Sequence, residues 1–460
     1  MMLRGSTADR RAVPGTSPSR GVAWERPSLV ARTAHSPAIE RRIETASSRI
    51  ADPGLRRLFA GAFSNTLDTT VRDGGTGARP LTFIATGDID AMWLRDSTAQ
   101  VWPYLASAPD DPSLDRLLRG IIHRQSDQVL LDPYANAFSG AGRRPSRWHL
   151  LDRTEMRTGV HERKWEPDSL AAFLRLSAGY AAATHSLVPF DPAWRGALAL
   201  TLATLRIEQR RGDPSPYRFR RLLPERRDRL PNGNDVAATR PNGMVHCAFR
   251  PSDDACILPL NVPVNLALAA ALDAVRPIAA AVGAAELAAD AGALAQEIRW
   301  GVATSGIVAG DLGPCWAYEI DGLGNALVMD DANVPSLLAL PYLGACAPDD
   351  PLYRATRAAI LSERNPWWFS GRLGDGIGSP HTGSGRIWPI AVAMRGLTAT
   401  DPAERLACAR LLGTSHAGTF LAHEGFDPDD ATRYTRPWFA WANVLVGEFL
   451  ERAALEGLLA

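Results

Sequence analysis

The strongest constraint on the fold is a helical periodicity that persists along almost the whole chain. Apolar residues recur at spacings of three and four in thirteen segments, which alternate with loops rich in Gly, Pro and Asp. The alternation of polar and apolar residues that is typical of strands is scarce. Helices are therefore predicted at 38–51, 53–69, 97–108, 113–130, 167–185, 191–211, 262–281, 284–302, 332–343, 351–363, 386–398, 402–417 and 436–457.

The number of helices suggests how they pack. If the first is an appendage, the remaining twelve form six consecutive pairs. Six helical hairpins that close on themselves form an all-α (α/α)6 barrel, whose inner helices bury both faces and whose long loops line a pocket at one end. An α-solenoid also stacks helix pairs, but no repeat of fixed period is present. We predict one (α/α)6 domain over 38–460 and a disordered leader, rich in Arg, Ser and Pro, over 1–37.

The loops support a barrel with a single pocket. Those that carry aromatic and charged residues precede every second helix, which would bring them to the same end of a barrel. They cover 88–96, 161–168, 249–256, 318–333, 376–388 and 424–441. The stretch 210–240 has many Arg, Pro and Asp residues but little apolar periodicity, and it is predicted to be a surface excursion between helices.

The charge balance limits the partners of this protein. Lys plus Arg and Asp plus Glu number 50 each, so the net charge is zero. Composition therefore suggests no basic face for nucleic acid or an anionic membrane, and a neutral substrate fits better.

The cysteines and the apolar runs bear on location. Five cysteines occur without a C-x-x-C pair, which favours a reducing compartment. The N-terminal stretch lacks the apolar core of a signal peptide, and the most apolar stretch, near 265–282, is interrupted by Asp273, Arg276 and Pro277. We predict a cytoplasmic protein that does not span a membrane.

The segment T-G-D-I-D-A-M-W-L-R-D-S, 86–97, combines Asp88, Asp90 and Asp96 with Trp93 and Arg95. Aromatic faces that cover a sugar ring, beside carboxylates and Arg that bind its hydroxyls, are typical of a carbohydrate pocket. The alternative is a helix N-terminus capped by an aspartate, with an Arg95–Asp96 salt bridge. The segment alone does not decide between the two.

The segment F-R-P-S-D-D-A-C, 249–256, places adjacent carboxylates, Asp253 and Asp254, after Arg250 and a proline turn. Repulsion between neighbouring carboxylates raises the pKa of one of them, as a general acid at neutral pH requires. A helix cap followed by a solvated Asp is the structural alternative, and eight residues alone favour it.

The segment H-E-G-F-D, 423–427, places Glu424 before a helix that contains Trp438 and Trp441. A carboxylate in such a loop could position and deprotonate a water molecule. Alternatively, Glu424 is a surface residue and the tryptophans pack in the barrel.

The segment H-E-R-K-W-E-P-D-S, 161–169, contains Glu162, Trp165 and Lys164, the only lysine of the chain. Its retention in an Arg-rich sequence suggests a role that a planar guanidinium cannot fill. A charged, solvated helix start is the alternative. His381 lies in a tight turn, G-S-P-H-T, where a single His is more often structural than catalytic.

Motifs for metals and cofactors are absent from the sequence. The segment H-E-R-K-W-E lacks a second His at i+4, and the cysteines have no ligand spacing. Signatures of a nucleophilic serine, a P-loop or a dinucleotide site are also absent. We therefore expect neither a metal nor a cofactor.

Six motifs taken together resemble one enzyme family. These motifs resemble, in the same order along the chain, those of the metal-independent exo-α-1,6-mannosidases of glycoside hydrolase family 125. They are the segments 86–97, 161–169 and 249–256, M-D-D-A-N-V-P-S-L (329–337), G-I-G-S-P-H-T (376–382) and T-R-P-W-F-A-W-A-N (435–443). The resemblance implies an (α/α)6 barrel and hydrolysis with inversion, releasing terminal mannose from a mannose-containing oligosaccharide.

The resemblance also implies roles for particular residues. The general acid would be Asp253 or Asp254, of which we favour Asp254, and the general base would be Glu424. The sequence differs from the family pattern at Gly425 and at Ile257-Leu258-Pro259. The residues predicted to bind substrate are Asp88, Asp90, Trp93, Arg95, Asp96, Glu162, Lys164, Trp165, Arg250, Asn333, His381 and Trp438.

Two other functions fit the same pattern. Another (α/α)6 glycosidase, similar to glucoamylases or trehalases, would use the same pair of carboxylates on a different sugar. A non-catalytic helical protein could bind sugar in the aromatic pocket without turnover.

Overall fold

The computed structural model describes residues 21–460 except 76, 78, 141–143, 213, 224, 233–236 and 312. Thirteen α-helices lie within these residues. They are α1 Pro37–Ser47, α2 Pro53–Thr69, α3 Leu94–Val101, α4 Pro112–Leu131, α5 Trp148–Leu151, α6 Pro167–Thr184, α7 Pro192–Glu208, α8 Val262–Ala281, α9 Ala285–Ser305, α10 Pro351–Ile360, α11 Pro389–Thr398, α12 Pro402–Ser415 and α13 Ala440–Leu455.

Short strands and 3-10 turns fill the connections between these helices. The strands are β1 Val71–Gly74, β2 Leu81–Ile84, β3 Ala91–Trp93, β4 Ala137–Ser139, β5 Asp152–Arg153, β6 Val160–Glu162, β7 Arg220–Arg221, β8 Leu260–Asn261, β9 Ile307–Gly310, β10 Gly313–Trp316, β11 Glu319–Ile320, β12 Ala326–Leu327, β13 Trp368–Ser370, β14 Asp375–Ile377, β15 Phe426–Asp427 and β16 Asp430–Tyr434. The 3-10 segments are Leu29–Ala31, Trp102–Asp110, Arg226–Asp228 and Pro380–Thr382.

The helices form two concentric rings, which confirms the predicted (α/α)6 barrel. In the inner ring α3 packs on α6, α6 on α8, α11 on α13 and α13 on α3. The outer ring contains α2, α4, α7, α9, α10 and α12. Most residues of each inner helix are buried, and α13 has 14 of its 16 residues buried. A helix that is apolar on all sides is stable only inside such a core.

The fourth inner position differs from the prediction. Residues 332–343 form hydrogen-bonded turns rather than a helix. Pro335 and Pro341 each lack the backbone N–H that a helix interior needs. The Asp330 carboxylate instead accepts the backbone N–H groups of Leu337 and Leu338, at 2.9 and 3.0 Å. The predicted helix 332–343 is therefore wrong, although its leucines are buried as an inner element requires.

The outer helices begin with a shared local signal. In α2, α4, α7, α10 and α12 an Asp-Pro pair stands at the first turn, and the Asp side chain accepts a backbone N–H of that turn. Such a cap satisfies an otherwise unpaired donor, while proline loses nothing at the first helical position. Five of the predicted helix starts were therefore readable from this dipeptide.

Four of the inner helices begin differently, whereas the Asn261 side chain caps α8. The residues that precede α3, α6, α11 and α13 are Trp93, Glu166, Trp388 and Phe439, and none of them makes a side-chain cap. These side chains point elsewhere, which matters for the site described below.

The predicted leader is only partly covered by the described residues. Residues 1–20 lie outside them, whereas residues 21–36 lie against the barrel. Trp24 is buried and donates its backbone N–H to Thr419, at 2.8 Å. Arg26 bonds the carboxylates of Glu40 and Asp68. The predicted disordered leader, 1–37, therefore extends too far toward the C-terminus, because Trp24 and Arg26 have buried partners.

Helix α8 is long and apolar enough to cross a membrane by length and composition. It belongs to the inner ring, where it packs on α6 and α9. Burial within the barrel accounts for its apolar composition.

Helix α13 approaches α2 so closely that only a glycine fits between them. A Cβ atom at Gly447 would lie 2.6 Å from the Phe63 Cα and 2.7 Å from its backbone nitrogen. We expect Gly447→Ala to lower the free energy of unfolding by about 1–3 kcal/mol, because the backbone of α2 must move. Gly413→Ala in α12 is the matched control, since its Cβ would meet only the Leu55 side chain at 3.5 Å. Urea denaturation of both variants checks this, and equal stabilities would contradict it.

Candidate active site

A cavity of about 1240 Å³ opens at the end of the barrel where the inner helices begin. Its walls come from the loops before these helices, as the sequence predicted. Eleven of the predicted site residues line it, namely Asp88, Asp90, Trp93, Arg95, Asp96, Glu162, Lys164, Asp253, Asn333, His381 and Glu424.

Three predicted substrate residues lie outside the cavity wall. Trp165 is buried, and its indole N–H donates to the His246 carbonyl at 2.7 Å. Arg250 forms a two-point ion pair with Glu319 at 2.5 and 3.0 Å, also buried. Their aromatic and cationic groups are thus satisfied within the protein, and they support the wall from behind.

Trp438 is the third of these residues. It belongs to a buried apolar cluster with Trp24, Leu421 and Ala440. The sequence suggested either a sugar contact or packing, and the structure favours packing. Its neighbour on α13, Trp441, does line the cavity.

Asp253 and Asp254 are adjacent in sequence but differ in position. Asp253 lines the cavity with 22 % of its side chain exposed, whereas the Asp254 side chain is 3 % exposed and is absent from the wall. The cause is the backbone of Asp253, whose φ of +64° lies in the left-handed region. Few non-glycine residues adopt this conformation, and those that do cluster at functional sites.

Lys164 holds this unusual turn. Its Nζ donates to the backbone carbonyl of Asp253 at 2.6 Å and lies 3.0 Å from the Asp228 carboxylate. The Lys164 side chain is only 5 % exposed. A compact ammonium fits between a carbonyl and a carboxylate, where a planar guanidinium is larger and differently shaped. This contact gives the single lysine a specific place in the site.

A second cation, Arg95, faces four carboxyl groups. Its guanidinium nitrogens lie 2.8 Å from Glu166, 3.1 Å from Asp168, 3.3 Å from Asp96 and 3.4 Å from Asp253. Burial raises the pKa of Asp96 to about 6, despite the attraction of Arg95. Burial also raises the pKa of Glu166 well above its usual range, with the Asp253 charge adding to the effect.

For Glu162, neighbouring cations together affect the pKa more than burial does. Burial alone would raise its pKa, but Lys164 and Arg221 outweigh burial and lower it. Arg221 donates to the Glu162 carboxylate at 2.7 Å and to Asp152 at 2.7 and 2.8 Å. Glu162 is thus an ionised acceptor in the cavity wall, suited to a sugar hydroxyl.

Glu424 approaches the cavity from the loop before α13. Its carboxylate accepts from the Arg436 guanidinium at 3.3 Å, and Arg436 also binds Asp88. The loop is held by His423, whose ring stacks on Tyr434 at 3.7 Å. Burial lowers the pKa of His423 to about 4, so this imidazole is neutral at physiological pH.

His381 is paired with the other aspartate. Its Nδ1 lies 3.0 Å from the Asp254 carboxylate. Burial lowers the pKa of the imidazole, but Asp254 outweighs burial and raises the pKa to about 9. His381 therefore presents a cation to the cavity at neutral pH, and Asp254 serves mainly as its partner.

Aromatic side chains complete the cavity wall. The indoles of Trp93, Trp148, Trp388 and Trp441 and the ring of Phe439 line it. Trp93, Trp388 and Phe439 each immediately precede an inner helix, and their side chains do not cap it. Ionised carboxylates, cations and aromatic faces in one cavity suit a neutral polyhydroxylated ligand.

Sequence reasoning missed several residues of the site. Arg436 pairs with Asp88, which is 348 residues away in the chain, and no local sequence pattern indicates this contact. Arg221 and Asp228 belong to the stretch 210–240, which was predicted to be a surface excursion but here contributes buried residues to the wall. Residues 213, 224 and 233–236 of that stretch lie outside the described residues. Asn136 was also missed, although its amide reaches Glu162, Glu166 and Asp253 at 3.2–3.4 Å.

Within the described part of the chain, no group of three or more His, Cys, Asp or Glu residues is placed to hold a metal ion. The carboxylates of the site have cationic side chains as partners instead. The chemistry that this arrangement offers is proton transfer between carboxyl groups and a bound ligand.

Comparison with known proteins identifies the class. The family model of metal-independent alpha-mannosidases, GH125, matches residues 52–451. The Meiotically up-regulated gene 157 protein of Schizosaccharomyces pombe is 37% identical over 464 residues, which covers 96% of this chain and 90% of that protein.

Solved structures agree with this match. A metal-independent alpha-mannosidase of Streptococcus pneumoniae, in a non-productive complex with alpha-1,6-mannobiose, has a TM-score of 0.87 and 38% identity. The match covers 93% of this chain and 99% of that one. A bacterial glucoamylase complexed with acarbose has a TM-score of 0.54 at 13% identity, covering 87% of this chain and 55% of that one, and shares the fold alone.

The fold and the site thus define a glycoside hydrolase built on an (α/α)6 barrel. The chain belongs to the GH125 family of metal-independent alpha-mannosidases. The resemblance inferred from the six motifs is confirmed, as is the prediction of an enzyme rather than a sugar-binding protein.

The His381–Asp254 pair makes a testable electrostatic prediction. We expect His381 to titrate near pH 9 and Asp254→Asn to lower its pKa, because the carboxylate is what raises it. The stability that the pair adds should be complete below about pH 6.5, the usual histidine pKa. It should be lost as the pH rises through about 9. NMR of labelled histidines measures the pKa values, with His423 as an internal control. An unchanged His381 in the variant would contradict the assignment.

Proposed function

We propose that this enzyme is an exo-acting, inverting mannosidase that releases terminal α-1,6-linked mannose from a mannose-containing oligosaccharide. The substrate is suggested by the alpha-1,6-mannobiose bound to the Streptococcus pneumoniae relative. The observation that carries the mechanism is that Asp253 and Glu424, on the loops before α8 and α13, line one cavity. Single-step inversion needs two carboxyl groups on opposite faces of the sugar.

Asp253 is the general acid in this proposal, in place of Asp254. Asp253 reaches the cavity, whereas Asp254 is buried and engaged by His381. An acid must lie within hydrogen-bonding reach of the leaving oxygen, and geometry is the first criterion.

Glu424 is the general base. It removes a proton from a water molecule, which attacks the anomeric carbon while Asp253 protonates the departing oxygen. The Arg436 guanidinium donates to the Glu424 carboxylate at 3.3 Å and thereby positions it in the cavity wall. Carboxylates that are paired with cations, such as Asp88 and Glu162, serve as acceptors for the mannose hydroxyls.

Exo action is supported by the position of the cavity. It lies at one end of the barrel, and the inner ring beneath it is filled with buried side chains. A single terminal sugar can enter such a cavity, whereas a continuous chain cannot pass through it.

We also propose that the enzyme works in the cytoplasm. The five cysteines are free thiols, and four of them are buried. Unpaired thiols suit a reducing compartment.

The assignment of the acid can be tested by leaving-group dependence. Protonation matters most when the leaving oxygen is strongly basic. We expect Asp253→Asn to lower kcat/KM for α-1,6-mannobiose by about 10²–10⁴-fold, with a much smaller loss on an activated aryl α-mannoside. Asp254→Asn is the matched control, and it should affect both substrates alike through His381. If Asp254→Asn alone discriminates between the substrates, Asp254 is the acid.

Removal of the general base should slow cleavage of both the mannobiose and the aryl mannoside, because a water molecule attacks the anomeric carbon in both reactions. We expect Glu424→Gln to lower turnover of both substrates by about 10²–10⁴-fold. Asp427→Asn changes a carboxylate of the same loop that pairs with Arg433 outside the cavity, and it should retain activity. Proton NMR of the wild-type reaction should show β-mannose as the first product. Near-normal turnover of Glu424→Gln would contradict the proposed base.

A further inference from the structure

The carboxyl groups behind the cavity cannot all be ionised. Glu166, Asp168, Asp96 and Asp253 face the single guanidinium of Arg95 at 2.8–3.4 Å. Burying an unpaired carboxylate is costly, so part of this cluster must retain protons at neutral pH. The site therefore stores at least one proton close to the proposed acid.

The other cations nearby have carboxylate partners of their own. Lys164 is shared between Asp228 and Glu162, besides the Asp253 carbonyl. Arg221 pairs with Asp152, Glu162 and Asp228. The His381 cation is matched by Asp254, and Arg436 by Asp88 and Glu424.

Glu166 is the member of the cluster that is connected to Asp253. Both side chains face the Arg95 guanidinium, Glu166 at 2.8 Å and Asp253 at 3.4 Å. Both also accept from the Asn136 amide, at 3.2 and 3.4 Å. The Glu166 side chain has no exposed surface, whereas that of Asp253 faces the cavity.

The position of the shared proton follows from the surroundings. Burial raises the pKa of Glu166 well above its usual range. Burial also raises the pKa of Asp253, but Arg95, Lys164 and the hydrogen bond from Glu166 outweigh it and lower the pKa. Glu166 therefore holds a proton more tightly than Asp253 does.

We propose that Glu166 is a positioning residue that supplies the proton of the general acid, so that Glu166 and Asp253 act as one proton-sharing pair. This inference rests on the proposed function, in which Asp253 is the acid. A sugar in the cavity displaces water from the exposed face of Asp253 and thereby disfavours its ionised form.

The proton balance is closed. The O–H bond of Glu166 breaks as an O–H bond forms on Asp253, and Arg95 at 2.8 Å stabilises the resulting Glu166 carboxylate. Asp253 then transfers the proton to the glycosidic oxygen as the bond to the anomeric carbon breaks. After product release, Glu424 returns to solvent the proton that it took from water, and a proton from solvent restores the Glu166–Asp253 pair.

The variant Glu166→Gln separates proton supply from hydrogen bonding, because the amide can donate a hydrogen bond but cannot transfer a proton. Asp253 would then depend on protons from solvent. We expect mannobiose cleavage at pH 7 to fall by about 10-fold or more and to recover as the pH is lowered. Cleavage of an activated aryl α-mannoside should change little. An equal loss on both substrates without a pH shift, or no loss at all, would overturn the proposal.

Asp168→Asn is the matched control, since Asp168 contacts the same Arg95 nitrogen as Glu166. It should affect both substrates alike and leave the shape of the pH profile unchanged. The same pH shift in Asp168→Asn would assign the proton to the cluster rather than to Glu166, and would overturn the proposal.

Two further measurements keep the test decisive. If Glu166→Gln does not fold, Glu166→Asp retains a carboxyl group and should keep the wild-type pH profile at a lower rate; a shifted profile would overturn the proposal. Asp253→Asn is measured in parallel. If Asp253→Asn shows no leaving-group dependence, the proposed acid is wrong. If it does and Glu166→Gln does not, only the role of Glu166 fails.

Discussion

The ion pairs of Arg95 are the interaction on which the rest of the site depends. This guanidinium lies at the start of α3 and bonds Glu166 and Asp168 at the start of α6 and Asp253 on the loop before α8. Its other side faces the Trp441 ring of α13, at 5.5 Å. One buried cation thus connects the beginnings of four inner helices. Without it, ionising any of the buried carboxyl groups that it pairs would cost several kcal/mol more.

Much of this architecture could be predicted from sequence, because it is encoded locally. Helical periodicity predicted the helices of the two rings. The Asp-Pro pairs, which are two adjacent residues, indicate where outer helices begin. The alternation of chemically rich loops with plain ones gave a cavity at a single end. These features depend on residues within one helical turn of each other, where spacing and propensity are informative.

The errors arise where a conformation or a distant partner decides. Spacing could not choose between Asp253 and Asp254, because the positive φ of Asp253 determines which carboxylate faces the cavity. Arg436 was missed since its partner Asp88 is 348 residues away. Trp438 was predicted to contact the sugar, whereas it packs against Trp24, which lies in the segment predicted to be a disordered leader. For Arg436 and Trp438 the deciding contact was long-range, and for Asp253 it was the local backbone conformation.

The two rings differ in how their helices begin, and this difference determines which substitutions change the cavity wall without removing a helix cap. Five of the six outer helices use an aspartate to cap their own first turn. Four inner helices instead begin after Trp93, Glu166, Trp388 or Phe439 and gain no cap from them. A substitution at Trp93, Trp388 or Phe439 therefore removes no cap but changes the cavity wall. The wall can thus be altered at these three positions while every aspartate cap of the outer ring stays in place.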